Sequence, residues 1–140
     1  MFIKQVSVFV ENETGKLAEI TRLLADNNID LKAACIAESV DFGILRSIVA
    51  DPEGAVALLK SNGYAANITD VIAVELKDRP GGFAEVLEIL NKEGVGIGYV
   101  YSIIHSEEGG AMVVLKVAEP GKVIDILMAN GVKLYRASEL

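Results

Sequence analysis

The sequence is poor in the side chains from which most active sites are built. It has one cysteine, Cys35, and one histidine, His105. A single cysteine excludes an intrachain disulfide. Cys35 sits in the apolar run Ala33–Ala37 and reads as a small buried hydrophobe. His105, at the end of a strand that runs into an acidic turn, reads as a surface residue. No Cys/His cluster has metal-ligand spacing, and no motif sets a Ser, Thr or Cys nucleophile beside a base. Positive charge is also scarce: 13 Lys and Arg face 20 Asp and Glu, for a net charge of −7 and a pI near 4.7. Phosphate backbones are bound by clustered cations. Those here are scattered, which excludes nucleic acid and an anionic membrane surface as expected partners. No apolar run approaches the roughly 20 residues that span a bilayer. The start, Met1 to Val6, lacks the features of a signal peptide, which points to the cytoplasm.

Two further patterns carry no chemistry. Glu107 and Glu108 are neighbouring carboxylates in a solvated turn. The glycines of Gly94-Val95-Gly96-Ile97-Gly98 lead from a helix into a strand, whereas a phosphate loop leads from a strand into a helix. The expectation is a protein without catalytic residues, metal or cofactor. What the chain has in abundance is apolar residues, at 51%, with no low-complexity tract; that composition is globular.

Alternation and helical spacing divide the chain into elements. Ile3–Val10 reads as a strand. Leu17, Ile20, Leu23 and Leu24 form a helical apolar stripe, ended by Asn27-Asn28, since Asn tolerates the left-handed conformation of a C-terminal cap. Strands are expected at Ile29–Glu38 and Phe42–Ala50. Asp51-Pro52 starts a second helix, the Asp as cap and the Pro at the first helical position. Asn62-Gly63 stops it, and Tyr64–Ile68 is a short strand. The pattern then restarts: a strand at Val71–Leu76, a helix from Phe83 capped by Gly94, a strand at Val95–Ser106, a hairpin turn at Glu107–Gly110, a strand at Ala111–Val117, a helix opened by Glu119-Pro120 and closed by Asn130-Gly131, and a last strand at Val132–Arg136.

Each half therefore reads β-α-β-β-α-β, giving an α+β fold of two tandem ferredoxin-like units, each an antiparallel sheet with both helices on one face. Gly15 corresponds to Gly81, Ala18-Glu19 to Ala84-Glu85, Pro52 to Pro120 and Asn62-Gly63 to Asn130-Gly131. The expected domains are 1–69 and 70–140. Only Thr69-Asp70 separates the last strand of one half from the first of the next, too short a link for independent domains. Exchange of a strand between the halves stays open.

The best candidate for chemistry is the strand-to-helix turn, which occurs twice: Glu11-Asn12-Glu13-Thr14-Gly15-Lys16-Leu17 and Lys77-Asp78-Arg79-Pro80-Gly81-Gly82-Phe83. A helix N-terminus offers unpaired N–H groups and a partial positive charge, and glycine lets a ligand approach the backbone. That suits a carboxylate, and the oxygens of Asn12, Asp30 or Asp78 suit an ammonium. The alternative is purely structural: Gly15 and Gly81 as tight-turn glycines, Asn12 and Asp78 as helix caps.

The segment Val74 to Val86 (Val-Glu-Leu-Lys-Asp-Arg-Pro-Gly-Gly-Phe-Ala-Glu-Val), followed by Leu90 to Ile97, resembles an ACT domain. Phe9 to Asn12, Gly15 to Ile20 and Asn28 to Leu31 repeat the resemblance in the first half, so it covers the whole chain as two copies. It implies regulation by a small molecule, usually an amino acid held between units that pair side by side. By position it implies ligand-binding roles for Asn12, Thr14 and Gly15 in the first loop and for Asp78, Pro80, Gly81 and Gly82 in the second. On the second strands it implies Asp30 and Leu31, and Gly96, Ile97 and Tyr99. Thr14 stands where the family usually has Pro, and Gly96 where it usually has Asn or Asp, so the two sites are not equivalent. A composite site, the Asp78–Gly82 loop of one half with Asp30 of the other, is one expectation. The Asn12 loop facing Tyr99 or Tyr101 is another.

The expected function is non-catalytic: a regulatory protein that binds a free amino acid, forms a homodimer and reports to a regulated enzyme or other protein. The alternative is a ligand-free module that assembles by sheet pairing, suggested by the apolar strand Ile97–Ile104.

Overall fold

The computed structural model describes residues 1–103 and 111–140. The expected end of the strand beyond Ile103, His105 and the turn Glu107–Gly110 lie outside the described residues. The elements are β1 (Ile3–Glu11), α1 (Lys16–Asp26), β2 (Leu31–Glu38), β3 (Phe42–Val49), α2 (Pro52–Ser61), β4 (Ala66–Leu76), α3 (Gly82–Lys92), β5 (Ile97–Ile103), β6 (Ala111–Val117), α4 (Pro120–Ala129) and β7 (Leu134–Tyr135). This is the α+β fold expected, with β-α-β-β-α-β occurring twice. The chain divides into two compact units, one of Lys4–Thr69 and one of Asp70–Leu140 together with Met1–Ile3.

In the first unit β3 pairs antiparallel with both β1 and β2, with Val8 opposite Leu45 and Ile36 opposite Leu45. The start of β4 flanks β1 on its other side, and Phe9 N–H donates to the Ala65 carbonyl at 3.0 Å. Alternation turns Val6, Val8 and Val10 toward the helices, where they pack with Leu45, Ile20, Leu24, Ala55 and Leu59. In the second unit β4 lies between β6 and β7, and β5 pairs with β6 on the outside. Ile72, Val74 and Leu76 pack with Val113, Leu115, Val86, Leu90, Val123 and Leu127. Each fully buried aliphatic chain of this kind contributes about 1.5–3 kcal/mol relative to exposure.

Caps follow the residue types. The Asp51 carboxylate accepts the Gly54 N–H at 3.0 Å ahead of Pro52. Glu119, one methylene longer, makes no such bond ahead of Pro120. Asn28 takes the left-handed φ of 58° just beyond α1, and Gly63, Gly94 and Gly131 do the same beyond the other helices. Two boundaries differ from expectation. β4 is one strand through Thr69-Asp70 rather than two strands with a linker; no Gly or Pro interrupts it, and Ile68, Thr69 and Val71 are β-branched. The last strand is only Leu134–Tyr135. The chain turns away at Arg136, whose N–H donates to the Glu139 carboxylate at 2.6 Å in a short 3-10 turn.

Candidate functional site

The two strand-to-helix turns share one backbone design. Glu13 N–H donates to the Glu11 carbonyl and Arg79 N–H to the Lys77 carbonyl, both at 2.8 Å, making tight three-residue turns centred on Asn12 and Asp78. Lys16 N–H then donates to the Glu13 carbonyl at 3.3 Å, and Gly82 N–H to the Arg79 carbonyl at 3.0 Å. The third residues of these second turns, Gly15 (φ 90°, ψ −9°) and Gly81 (φ 87°, ψ −7°), have type II geometry. This explains the residue pattern. A type II turn needs glycine at its third position and tolerates proline at its second, so Thr14 replaces Pro80 without changing the frame.

Gly15 and Gly81 are also the helix N-caps, and neither helix has a side-chain cap. Asn12 and Asp78 therefore do not act as helix caps. Beyond the adjoining backbone, no atom lies within 4 Å of where a β-carbon would stand on Gly15 or Gly81, so each turn is open on the side a side chain would occupy. Gly82 differs: it is buried, and the Lys77 carbonyl occupies the space a β-carbon would need.

The side chains around the turns differ in charge. The first turn is flanked by Glu11 and Glu13, and the Asn12 amide donates to Glu38 Oε1 and to the Val40 carbonyl, both at 3.3 Å. These bonds tie the turn to the β2–β3 hairpin. Asn12 and Glu13, with Leu17, Ile36 and Glu38, line a cavity of about 240 Å³. The second turn is flanked by Lys77 and Arg79, and both pair with Glu85 in the first turn of α3, Lys77 at 3.2 Å. The hydrogen bond from Lys77, helped by the charge of Arg79, holds the Glu85 carboxyl below its usual range. Asp78 and Pro80 are exposed at the tip of this turn.

Within a unit the second-strand residues do not meet the turns. Leu31 pairs with Val49, and Asp30 accepts the Ala50 N–H at 3.0 Å, at one end of β2. Asn12 bonds to Glu38 at the other end. Glu38 is eight residues beyond Asp30 along the strand, about 26 Å at the usual rise. In the second unit Ile97 pairs with Val117, whereas Leu76, which leads into the turn, pairs with Ala111 at the far end of β6. Gly96 is exposed, with open space where a side chain would stand. Tyr99 stacks on Tyr101 with ring centroids 6.4 Å apart.

A feature not expected from the motif lies beside the first turn. Phe9, Phe42, Lys16, Glu19, Tyr64 and Glu11 line a cleft of about 420 Å³, with Asn62, Gly63 and Ala65 at its side. The Phe9 and Phe42 rings contact each other at 5.7 Å yet are 52% and 46% exposed. The Tyr64 hydroxyl donates to Glu19. One signal was available in the sequence: with Val6, Val8 and Val10 turned inward, alternation puts Phe9 on the outer face, where its counterpart is Glu75.

Fold and turns together define a class: duplicated α+β proteins whose two βαββαβ units each carry a glycine-capped turn from first strand to first helix. Residues 1–140 match the family of the ACT domain pair, and the chain belongs to that family. It is 46% identical to the crystallised protein BT0572 of Bacteroides thetaiotaomicron, with 99% of this chain and 94% of that one covered and a TM-score of 0.92. The fold is also that of the regulatory subunit of aspartate kinase from Thermus thermophilus, in its ligand-free form, at 14% identity, 90% and 91% coverage and a TM-score of 0.66. The same subunit from Thermus flavus aligns at 13% identity, 90% and 90% coverage and a TM-score of 0.62. No functionally curated protein matches the sequence. Among the described residues no helix is long and apolar enough to cross a membrane, and no group of three or more His, Cys, Asp or Glu is placed to hold a metal.

Proposed function

We propose that this protein is a non-catalytic regulator that binds a free amino acid at its glycine-capped turns and passes the occupancy to a partner protein. The observation that carries this reading is the pair of helix N-termini at Gly15 and Gly81, open on the side a side chain would occupy and without side-chain caps. Such N–H groups complement a carboxylate. Asn12, Asp78 or Asp30 would take the ammonium, with Leu31, Ile97 and Tyr99 as apolar walls. Since turn and second strand lie at opposite ends of each unit, a complete site needs a turn from one copy of the chain and a second strand from another copy. ACT family membership and the fold shared with aspartate kinase regulatory subunits support the regulatory role. On this reading the protein works in the cytoplasm as a homodimer, and the regulated partner is an enzyme or another protein. Ligand then shifts a packing equilibrium by no more than its difference in affinity for the two states.

Thermal melting against each common amino acid tests this. A ligand at about 100 times its Kd adds roughly 2.7 kcal/mol, which raises Tm by several degrees. No shift with any amino acid overturns the reading.

A second reading is favoured by one specific observation. Val100 on β5, the last strand in the sheet order, is 38% exposed, and β5 has β6 as its neighbour on one side. An apolar edge of this kind pairs readily with another chain, and the protein would then be an assembly module without ligand. Sedimentation of wild type and Val100→Lys distinguishes the two. Loss of the dimer with no amino-acid response in either protein favours assembly alone.

A further inference from the structure

We infer that the cleft between β1 and the α2–β4 connection of the first unit binds the side chain of an amino acid that is aromatic or branched and apolar. This rests on the amino-acid reading above and names the class of ligand.

The two units share their backbone frame at this place. Phe9 N–H donates to the Ala65 carbonyl and Glu75 N–H to the Lys133 carbonyl, each at 3.0 Å. The side chains on that frame are nevertheless different. Phe9 corresponds to Glu75, Lys16 to Gly82, Tyr64 to Val132 and Ala65 to Lys133. In the second unit the place is taken by the chain itself: the Tyr135 hydroxyl donates to Glu75 Oε1 at 2.6 Å, and Lys133 Nζ lies 3.6 Å from the same oxygen and 4.5 Å from the Tyr135 ring centre. In the first unit the same frame holds an open cleft of about 420 Å³, within the roughly 300–1,000 Å³ of pockets that bury small molecules.

Its lining sets the chemistry. Phe9 and Phe42 offer two tilted ring faces, about half exposed; such faces favour an aromatic or branched apolar group laid against them. Lys16, Glu11 and Glu19 line the same cleft, so residues of both charges stand beside it for the carboxylate and the ammonium of a zwitterion. A simple cation or anion satisfies only one of them. The cleft adjoins the Asn12–Gly15 turn through Glu11, which lines both cavities. An amino acid with its main chain beside the turn can therefore lay its side chain against the exposed faces of the two rings.

The test is titration of the full chain with L-phenylalanine, L-leucine, L-aspartate and L-lysine, followed by calorimetry and by amide shifts in ¹⁵N spectra. The expected result is binding of phenylalanine or leucine at least tenfold tighter than aspartate or lysine. Shifts should gather at residues 9–19, 42 and 62–65. Phe42→Ala and Lys16→Gln should each weaken binding about tenfold, while Lys122→Gln on α4 leaves it unchanged. Both variants alter exposed or half-exposed side chains, and an unchanged melting curve confirms that each folds. Binding of aspartate or lysine in preference, or binding that Phe42→Ala does not weaken, overturns the cleft assignment and leaves the amino-acid reading standing. No binding by any amino acid overturns both.

Discussion

Gly82 lies so close to Lys77 that a β-carbon at position 82 would stand 2.0 Å from the Lys77 carbonyl oxygen. That carbonyl is pinned by the Arg79 N–H at 2.8 Å, so it has little room to withdraw. Gly82→Ala should destabilise the protein by about 1–3 kcal/mol or more, the usual range for forcing a methyl into filled space. Thermal melting should show Tm lowered by several degrees. The corresponding first turn carries Lys16 and has the longer closing hydrogen bond, 3.3 Å against 3.0 Å. Lys16→Ala should accordingly leave Tm nearly unchanged.

The shared type II geometry yields a prediction of opposite sign. Thr14 and Pro80 hold the same place in the two turns. Proline suits that position and narrows the unfolded ensemble, an effect of about 0.4–1 kcal/mol. Thr14→Pro should therefore raise Tm by a few degrees, whereas Gly15→Ala, which puts a side chain at φ 90°, should lower it by more.

Helices α2 and α4 both begin with an acidic residue and proline, but the carboxylate of Asp51 caps its helix and that of Glu119 does not. Asp51→Ala should cost about 0.5–2 kcal/mol. Glu119→Ala should cost much less. Denaturant unfolding of the two variants reads the difference directly as a shift in midpoint with unchanged slope.

Tyr64 supplies a pH signature. Its hydrogen bond to Glu19, followed by desolvation and the Glu19 charge, pushes its hydroxyl up to about 12. Tyr135 also rises to about 12, chiefly by desolvation and then by Glu75. A raised folded-state pKa means that the folded protein holds its proton more tightly than the unfolded chain. The associated stability is complete below the unfolded value near 10 and is lost as pH rises from about 10 to 12. Phenolate absorbance should show these two of the four tyrosines ionising near 12. In Glu19→Ala, one tyrosine should move down toward 10 while the Tyr135 step stays in place.

Much of the architecture was legible because it depends on local rules. Val6, Val8 and Val10 alternate whether or not a sheet is present, and Asp51-Pro52 and Asn62-Gly63 punctuate a helix by their own conformational preferences. Two copies of each signal settled the duplication. The continuity of β4 was less legible. Thr69-Asp70 looks polar enough for a link, yet nothing in it breaks an extended strand once flanking residues are paired.

The turns divide in the same way. That Gly15 and Gly81 sit between a strand and a helix was readable locally, since glycine's freedom at positive φ is a property of the residue. What each neighbouring residue does there depends on the folded chain. Asn12 bonds across to Glu38 and Val40, Gly82 makes room for Lys77, and Lys77 and Arg79 close on Glu85. Asp30 lies a full strand away from the turn of its own unit. Phe9 and Phe42, far apart in the chain, come together because β1 and β3 pair in one register. A residue's backbone preference is written at its own position, but the partner its side chain meets is set by the register and packing of distant segments.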